Sequence, residues 1–275
     1  MICTSASLDH KCELFNRFAA LHRSRRRPHS SRVIVLFTDF GLAGPYTGQV
    51  TAVLHQRAPE VPIIPLFADA PSEQPKPAAY LLAAYGAWFP PGTVLLCVVD
   101  PGVGSERRAV VVEAEGRIYV GPDNGLFDIV MRRASEACLW EIIWHPGPLS
   151  PSFHGRDLFA PVAARLAVGD PLTEMAQPAA DRSAARGWPD DLAEIVYLDH
   201  YGNAMTGLRG ALLAPGTRLI AGGYSLEPAA TFSAVPPGEA FWYINSNGLA
   251  EIAVNGARAV ETLGLAIGSE VAIDG

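Results

Sequence analysis

One stretch decides the fold, and it reads Val94-Leu95-Leu96-Cys97-Val98-Val99-Asp100-Pro101-Gly102-Val103-Gly104-Ser105-Glu106-Arg107-Arg108. Residues 94–99 are an apolar run rich in β-branched side chains, which predicts a strand of a parallel sheet buried on both faces. The strand ends at Pro101 and Gly102, because proline lacks a backbone N–H and glycine permits a tight turn. Ligands of open α/β sheets bind at such carboxyl ends, so Asp100 and Arg107 are expected at the edge of a crevice. An Asp100 that only caps the turn, with Arg107 as its counter-charge, fits this stretch equally well.

The segments around this stretch alternate between strand and helix patterns. We predict strands at 33–37, 62–67, 109–112 and 118–120, and helices at 44–57, 77–88, 126–134 and 158–168. Alternation of this kind indicates a parallel sheet with right-handed crossovers. The expected fold class is therefore α/β, with an N-terminal domain over 33–176 whose mainly parallel sheet is flanked by helices.

The pattern changes after residues 177–191, which are rich in Ala, Arg, Asp and Pro and are expected to be a linker. Short strands then follow between Gly and Pro turns, at 195–198, 218–221, 240–244, 249–254 and 270–273, with one helix at 257–263. This spacing predicts a smaller all-β barrel domain over 192–275. Residues 1–32 are predicted to be a basic, disordered extension.

Composition excludes several classes of protein. The chain has 275 residues, 49% of them hydrophobic and 18% charged, which is typical of a globular protein. Since no apolar run reaches roughly 18 residues, no membrane-spanning helix is expected. The net charge of −7, with seven basic and two acidic residues among the first 32, leaves an acidic body that argues against a nucleic-acid partner. The four cysteines, Cys3, Cys12, Cys97 and Cys138, form no CxxC pair and are predicted to be reduced thiols of a cytoplasmic protein.

Three loop motifs of the first domain carry residues suited to catalysis: Thr38-Asp39-Phe40-Gly41, the loop from Asp100 to Arg107, and Phe153-His154-Gly155-Arg156-Asp157. A histidine can take a proton near neutral pH, a carboxylate can orient it or a water, and an arginine favours an anionic nucleophile. The motifs lack a kinase catalytic loop, the third glycine of a dinucleotide fingerprint and a nucleophile elbow. Metal-ligand spacing is also poor, so neither a metal nor a cofactor is expected.

A further motif at 197–203 follows a predicted strand of the second domain. Tyr201 offers an aromatic face, Asn203 an amide that can read ring edges, and Asp199 a partner for a cation. A hairpin turn with Gly202 at its tip is the alternative reading. Residues 245–248, Asn-Ser-Asn-Gly, are likewise typical of a hairpin turn.

The motifs TDFG, DPGVGSERR, GPDNG, FHGRD, DHYGN and NSNG occur in this order across residues 33–273. In these motifs the chain resembles the S-adenosyl-L-methionine hydroxide adenosyltransferases, relatives of fluorinase and chlorinase. The resemblance implies a homotrimer, with each active site between the first domain of one subunit and the second domain of its neighbour. It also implies that S-adenosylmethionine is the substrate, and that water attacks its ribose C5′ without a metal to give adenosine and L-methionine.

The resemblance implies a role for eleven residues. Water activation would fall to Asp100, Arg107 and His154. Substrate binding would fall to Asp39 at the ribose hydroxyls, Asp199 and Ser246 at the methionine end, Tyr201 and Asn203 at adenine, Phe232 as the opposite aromatic wall, and Asn255 with Gly256 through backbone contacts to the base.

The chain departs from its halogenating relatives, which carry tyrosine where it has Asp100. Fluorinase has tyrosine and serine in place of His154 and Gly155, so hydroxide is the implied nucleophile. Residues 66–71 differ from a His-containing stretch of many members, and Asn247 stands where fluorinase has an arginine for the methionine carboxylate. The alternatives are a halide-using synthase, a non-catalytic adenosine or S-adenosylmethionine binding module, and a Mg²⁺-dependent nucleotide phosphohydrolase.

Overall fold

The computed structural model describes residues 32–179 and 187–274. The predicted extension, apart from Arg32, therefore lies outside the described residues. The first seven strands form one sheet in the order β2-β1-β3-β5-β4-β6-β7. They are β1 (Ile34–Thr38), β2 (Ile63–Phe67), β3 (Val94–Val98), β4 (Ala109–Ala114), β5 (Arg117–Pro122), β6 (Ala137–Ile142) and β7 (Ala176–Pro178). Their helices are α1 (Tyr46–Arg57), α2 (Pro75–Gly86), α3 (Asp128–Arg133) and α4 (Ala160–Val168).

This sheet is parallel on one side and antiparallel on the other. Strands β2, β1, β3 and β5 run parallel, whereas β4, β6 and β7 join through antiparallel pairs. The change of direction follows from the link between β4 and β5, where Glu115 and Gly116 adopt φ values of 50° and 73° in a tight turn. So short a connection can only join antiparallel strands. The predicted α/β class is confirmed, with a mixed sheet whose parallel strands lie around β3.

Helices cover both faces of the sheet. Along β1 and β3, alternate side chains enter two separate cores: Val35 and Leu95 pack with α2 and α3, whereas Leu36 and Leu96 pack with α1 and α4. All residues of both strands are buried. A strand covered on both faces needs apolar side chains at every position, which is why β3 reads as an unbroken apolar run.

The remaining strands form a second sheet in the order β14-β10-β11-β12-β13-β9-β8. They are β8 (Leu192–Leu198), β9 (Ala204–Arg209), β10 (Arg218–Ala221), β11 (Tyr224–Pro228), β12 (Ala240–Ile244), β13 (Leu249–Val254) and β14 (Ala272–Asp274), with one short helix, α5 (Ala259–Thr262). The sheet curls into a half-barrel. The segment before β14 reaches β8, since Val271 N–H donates to the Ala193 carbonyl at 2.9 Å and Gly268 N–H to the Ile195 carbonyl at 2.8 Å.

Strand β8 also packs on the first sheet's helix α2. Lys76 Nζ lies 2.6 Å from Glu194 Oε1, and the Tyr197 hydroxyl donates to Asp69 Oδ2 at 3.0 Å. The Tyr197 ring meets Phe67 edge-on at 5.1 Å. These contacts bring the N-terminal end of α2 and the segment at the end of β2 against the second sheet.

Some expectations require correction or remain untested. Cys97 is a free, buried thiol, but Cys138 is disulfide-bonded rather than reduced, and Cys3 and Cys12 lie outside the described residues. Strand β7 takes up the first two residues of the predicted linker, and the domain limits themselves stay a prediction. Within the described segments, the helices are too short or too polar to traverse a bilayer.

Gly121 in β5 provides a test of the close packing between β5 and β3. A Cβ at this position would lie 2.1 Å from the Cys97 carbonyl oxygen and 3.0 Å from the Phe127 ring. We expect Gly121→Ala to lower the free energy of unfolding by about 2 kcal/mol, because a backbone atom must move. Gly48→Ala in α1 is the matched control, since nothing lies within 4 Å of its Cβ. Equal urea midpoints for the two variants would contradict this packing.

Candidate active site

The site begins where two parallel strands end side by side. Strands β1 and β3 pair in register, Thr38 opposite Val98, and Asp39 N–H donates to the Val98 carbonyl at 3.2 Å. Asp39 and Asp100 therefore follow at the same edge of the sheet. His154 comes from the loop that enters a π-helical turn (Gly155–Phe159) ahead of α4. A cavity of about 80 Å³ is lined by all three residues, together with Phe40, Val98, Val103, Ser152, Phe153 and Gly155.

Arg107 joins the other two members of the predicted triad. Its Nε donates to Asp100 Oδ1 at 2.8 Å and its Nη2 donates to Asp100 Oδ2, a bidentate pair. The same Nη2 lies 3.1 Å from His154 Nδ1. The Arg107 and Asp100 side chains are only 9% and 5% exposed. The three groups predicted to act together are thus in direct contact.

The contact with Arg107 decides which ring nitrogen of His154 carries the proton. A guanidinium has only donors, so Nδ1 must be the accepting nitrogen, and the imidazole proton lies on Nε2. Burial, and next the positive charge of Arg107, lower the pKa of His154 below its usual 6.5. His154 is therefore neutral near pH 7, with Nε2–H as its free donor.

Asp39 is the third titratable group that lines this cavity, after Asp100 and His154. Its Oδ2 accepts the Glu73 backbone N–H at 2.9 Å, and Glu73 adopts a φ of 57°, in the left-handed region. Burial raises the pKa of Asp39 more than this hydrogen bond lowers it. The second oxygen of Asp39 remains available to a hydroxyl donor.

Two further contacts fix the loops around the cavity. Gly104, with a φ of 80°, packs so closely that a Cβ would lie 2.6 Å from the Pro151 carbonyl oxygen. Asp157 accepts the Ser150 N–H at 2.9 Å and Arg156 Nε at 2.6 Å. Arg156 and Asp157 of the FHGRD motif therefore brace the loop that carries His154.

A larger cavity of about 760 Å³ lies on the second sheet. It is lined by six of the residues predicted to bind substrate: Asp199, Tyr201, Asn203, Phe232, Ser246 and Gly256. Asn255 turns its side-chain amide to the Val235 carbonyl at 2.6 Å. Asn203 is buried, and its backbone N–H and its Nδ2 donate to the two oxygens of Asp199 at 2.8 and 3.1 Å. The amide expected at adenine thus hydrogen-bonds the carboxylate expected at the methionine end.

Sequence reasoning missed several residues that line the larger cavity, among them Tyr85, Tyr243 and Glu251. Tyr85 lies at the end of α2, in a segment whose sequence predicts a helix but no functional role. Glu251 lies in β13, where all six residues are buried. A carboxyl group within an otherwise apolar strand is the sequence signal that could have identified Glu251, because such a group is costly to bury without a ligand or a hydrogen-bond network.

The two cavities share no lining residue within 32–179 and 187–274. Asp39, Asp100 and His154 line one, with Arg107 bonded to Asp100 and beside His154, and the groups predicted for adenine and the methionine end line the other. One chain therefore presents two separate cavities, which are candidate half-sites. In the same described residues, no three His, Cys, Asp or Glu side chains are grouped to hold a metal ion.

Comparison with known families follows the two sheets. The family model described as SAM hydroxide adenosyltransferase N-terminal domain matches residues 34–176, and the corresponding C-terminal domain matches 193–272. A protein of Thermus thermophilus named (R)-S-adenosyl-L-methionine hydrolase is 41% identical over 87% of this chain and 98% of its own length. A Salinispora tropica protein of the same name is 36% identical, covering 86% and 95%.

More distant relatives and solved structures agree with this match. A fluorinase of Actinopolyspora mzabensis is 24% identical over 89% of this chain and 98% of its own length. The crystal structure of an uncharacterized conserved protein from Thermotoga maritima superposes with a TM-score of 0.80 at 30% identity, covering 88% of this chain and all of that one. A conserved hypothetical protein from Thermus thermophilus gives 0.69 at 36% identity, covering 88% and 99%.

The neutral state of His154 can be measured directly. We expect its imidazole to titrate below pH 6.5 in the folded protein, as followed by NMR of ¹³C-labelled histidine. Arg107→Gln should move the midpoint upward, because the variant removes a neighbouring cation and frees the Asp100 charge. A wild-type midpoint at or above 6.5 would contradict the contact with Arg107.

Proposed function

From the premise that this chain belongs to the SAM hydroxide adenosyltransferase family, we propose that it hydrolyses S-adenosyl-L-methionine to adenosine and L-methionine. The observation that carries the proposal is Arg107 in contact with both Asp100 and His154, beside a cavity that Asp39 also lines. Since the relatives are named hydrolases of the (R) form, the proposal includes the R configuration at sulfur.

The proposed reaction is an in-line displacement at the ribose C5′. The water oxygen forms a bond to C5′ while the C5′–S bond breaks. The electron pair of the broken bond stays on sulfur, which becomes the neutral thioether sulfur of methionine. The water gives up one proton to the site and then to solvent. A sulfonium is a good leaving group, so the enzyme has to position the water, remove its proton and align it. No covalent intermediate is required.

The geometry supports a different role for each of the three residues of the triad. Both Asp100 oxygens accept from Arg107, and each carboxylate oxygen keeps a further lone pair that can accept the proton of a water. Arg107 stabilises developing hydroxide, while the His154 Nε2–H orients the water oxygen. With its Nδ1 occupied by Arg107, His154 acts first as a donor, and Asp100 is the proposed proton acceptor.

Substrate contacts are assigned to both cavities. Asp39 would accept the ribose hydroxyls beside the triad. Asp199 and Ser246 would bind the methionine end, and Tyr201 with Asn203 would bind adenine. Phe232, whose ring meets those of Phe241 and Tyr243 at 5.2 and 5.4 Å, would form the opposite wall, with backbone contacts from Asn255 and Gly256.

The separation of the two cavities supports a shared active site. Exposed apolar side chains occur near both: Leu42 is 83% exposed just after the TDFG motif, and Tyr201 is 74% exposed at the rim of the larger cavity. We propose a homotrimer in which the triad of one subunit faces the larger cavity of its neighbour.

The proposal needs neither a resident metal nor a cofactor, because the leaving group is already activated. We also propose a cytoplasmic location, although disulfides such as that of Cys138 are rare in that compartment. Fractionation of cells against a cytoplasmic marker tests the location.

Variants of the triad test the activity. We expect Asp100→Ala and His154→Ala to lower adenosine formation by about 10²-fold or more, since each removes a proton acceptor or an oriented donor. Chromatography of the products, with each sulfur epimer and with and without EDTA, is the measurement. Asp170→Ala, which breaks a pair with Arg165 outside both cavities, is the control and should retain activity.

Three outcomes would contradict the proposal. They are near-normal turnover by either triad variant, activity lost with EDTA, and a 5′-halo-adenosine product when chloride or fluoride is added. Binding without turnover over hours would instead favour a binding module.

Mixed trimers test the shared site. Asp100→Ala damages the first half-site and Asp199→Ala the second, so neither variant alone should be active. The two variants are co-expressed with different tags, and mixed trimers are purified through both tags. In each mixed trimer one of the three interfaces pairs two intact half-sites, so we expect about one third of wild-type activity. Zero activity from soluble mixed trimers would show that each site lies within one subunit.

A further inference from the structure

Glu251 is a carboxyl group buried in the centre of an apolar strand. It lies in β13, is 2% exposed, and lines the 760 Å³ cavity. A buried carboxylate costs several kcal/mol unless hydrogen bonds or a cation compensate it. Its partners therefore indicate what the group does.

The carboxylate holds two neighbouring side chains. The Tyr243 hydroxyl, directly opposite on β12, donates to Oε1, and Asn245 Nδ2 donates to Oε2 at 2.8 Å. The Asn203 side chain also lies near Glu251, where it favours the charged carboxylate and so lowers the pKa of Glu251. Glu251 is thus the acceptor at the centre of a polar network in the floor of the cavity.

One branch of this network reaches the turn that carries Ser246. Because Glu251 takes the Asn245 nitrogen, the Asn245 oxygen is free to accept the N–H groups of Asn247 at 2.9 Å and Leu249 at 3.1 Å. These bonds hold residues 245–249 in one conformation. The position of Ser246 in the cavity therefore depends on the orientation of the Asn245 amide.

The second branch reaches Asp199. Asn203 donates to both oxygens of Asp199, through its backbone N–H and its Nδ2. Glu251 thus connects, through Asn203 and Asn245, to both groups proposed to bind the methionine end. When residues are positioned through a hydrogen-bond network, every residue of the network must keep its hydrogen-bond partner.

The charges around the floor favour a cation. Asp199 and Glu251 both line the cavity, and Arg258 at its rim is 46% exposed and bonded to Glu261 Oε1 at 2.7 Å and the His200 carbonyl at 2.8 Å. Burial, and then the charges of Glu251 and Asp199, raise the pKa of Tyr85 to about 12. Burial also raises the pKa of Glu251, and nearby Asp199 adds to that rise. A bound ammonium would relieve the repulsion between the two carboxylates.

We propose that Glu251 is a positioning residue that makes this cavity selective for sulfonium substrates carrying an α-ammonium group, by holding Asp199 and Ser246 and adding a second negative charge. The inference rests on the proposed function and deepens it. It assigns substrate selectivity to a residue that is distant in sequence from Asp199 and is not itself expected to touch the reacting atoms.

Glu251→Gln tests the inference, because it keeps the shape and removes the charge. We expect KM for S-adenosylmethionine to rise about tenfold or more, with kcat changed less than about threefold, since a charged hydrogen-bond partner is lost in binding only. KM for 5′-dimethylsulfonio-5′-deoxyadenosine, which keeps the sulfonium and lacks the amino acid, should not change. Glu227→Gln, exposed in β11 of the same sheet, is the control and should match the wild type with both substrates.

An equal rise in KM for both substrates, or no rise for either, would overturn the role of Glu251. Tyr243→Phe removes one donor to Glu251 and keeps the ring, so it should change KM selectively in the same direction, and it serves if Glu251→Gln does not fold. Calorimetric titration of S-adenosylmethionine into Asp100→Ala, with and without Glu251→Gln, separates the two proposals. Weaker binding with the second substitution supports the role of Glu251 even if the wild type shows no turnover.

Discussion

The parallel pairing of β1 with β3 is the constraint on which the smaller cavity depends. Two strands that run in the same direction and in register end together, so Asp39 and Asp100 emerge at one edge without any long-range folding of loops. Apart from Thr38 at the end of β1, the residues of both strands are buried and apolar, because helices cover both faces of the sheet. The chemistry is therefore confined to the residues that follow each strand, as is usual for open α/β sheets.

The nearly buried pair of Asp100 and Arg107 gives this edge its electrostatic character. Removing water from two charges is costly, and the bidentate geometry compensates much of that cost. This pair holds Arg107 Nη2 beside His154 Nδ1. There the positive charge of Arg107 adds to the effect of burial in keeping the imidazole neutral. Removing Arg107 leaves a buried carboxylate without its partner, so an Arg107 variant loses stability as well as function.

Much of the first half-site follows from sequence, and less of the second. Strand β3 and its Asp-Pro-Gly end were predictable because a doubly buried strand and its turn have a strong local pattern. Strands β9 and β11 were missed, since β9 contains Gly207 and β11 is mostly exposed. The network around Glu251 was beyond prediction, because it joins two strands, β12 and β13, to residues of two neighbouring turns, and only the folded sheet defines their register. A disulfide at Cys138 likewise has no local signature.

The two half-sites have charge distributions suited to the proposed substrate, which carries a sulfonium and an ammonium group. In the first, the positive charge of Arg107 is balanced by Asp100, so hydroxide character can be stabilised without placing a free cation beside the sulfonium. In the second, Asp199 and Glu251 leave a negative floor suited to an ammonium. If the two half-sites come from different subunits, a substrate bound to both stabilises the interface between those subunits. Its sulfonium then lies between the charges of the first half-site and those of the second. Assembly, substrate selectivity and water activation would then depend on the same few carboxylates.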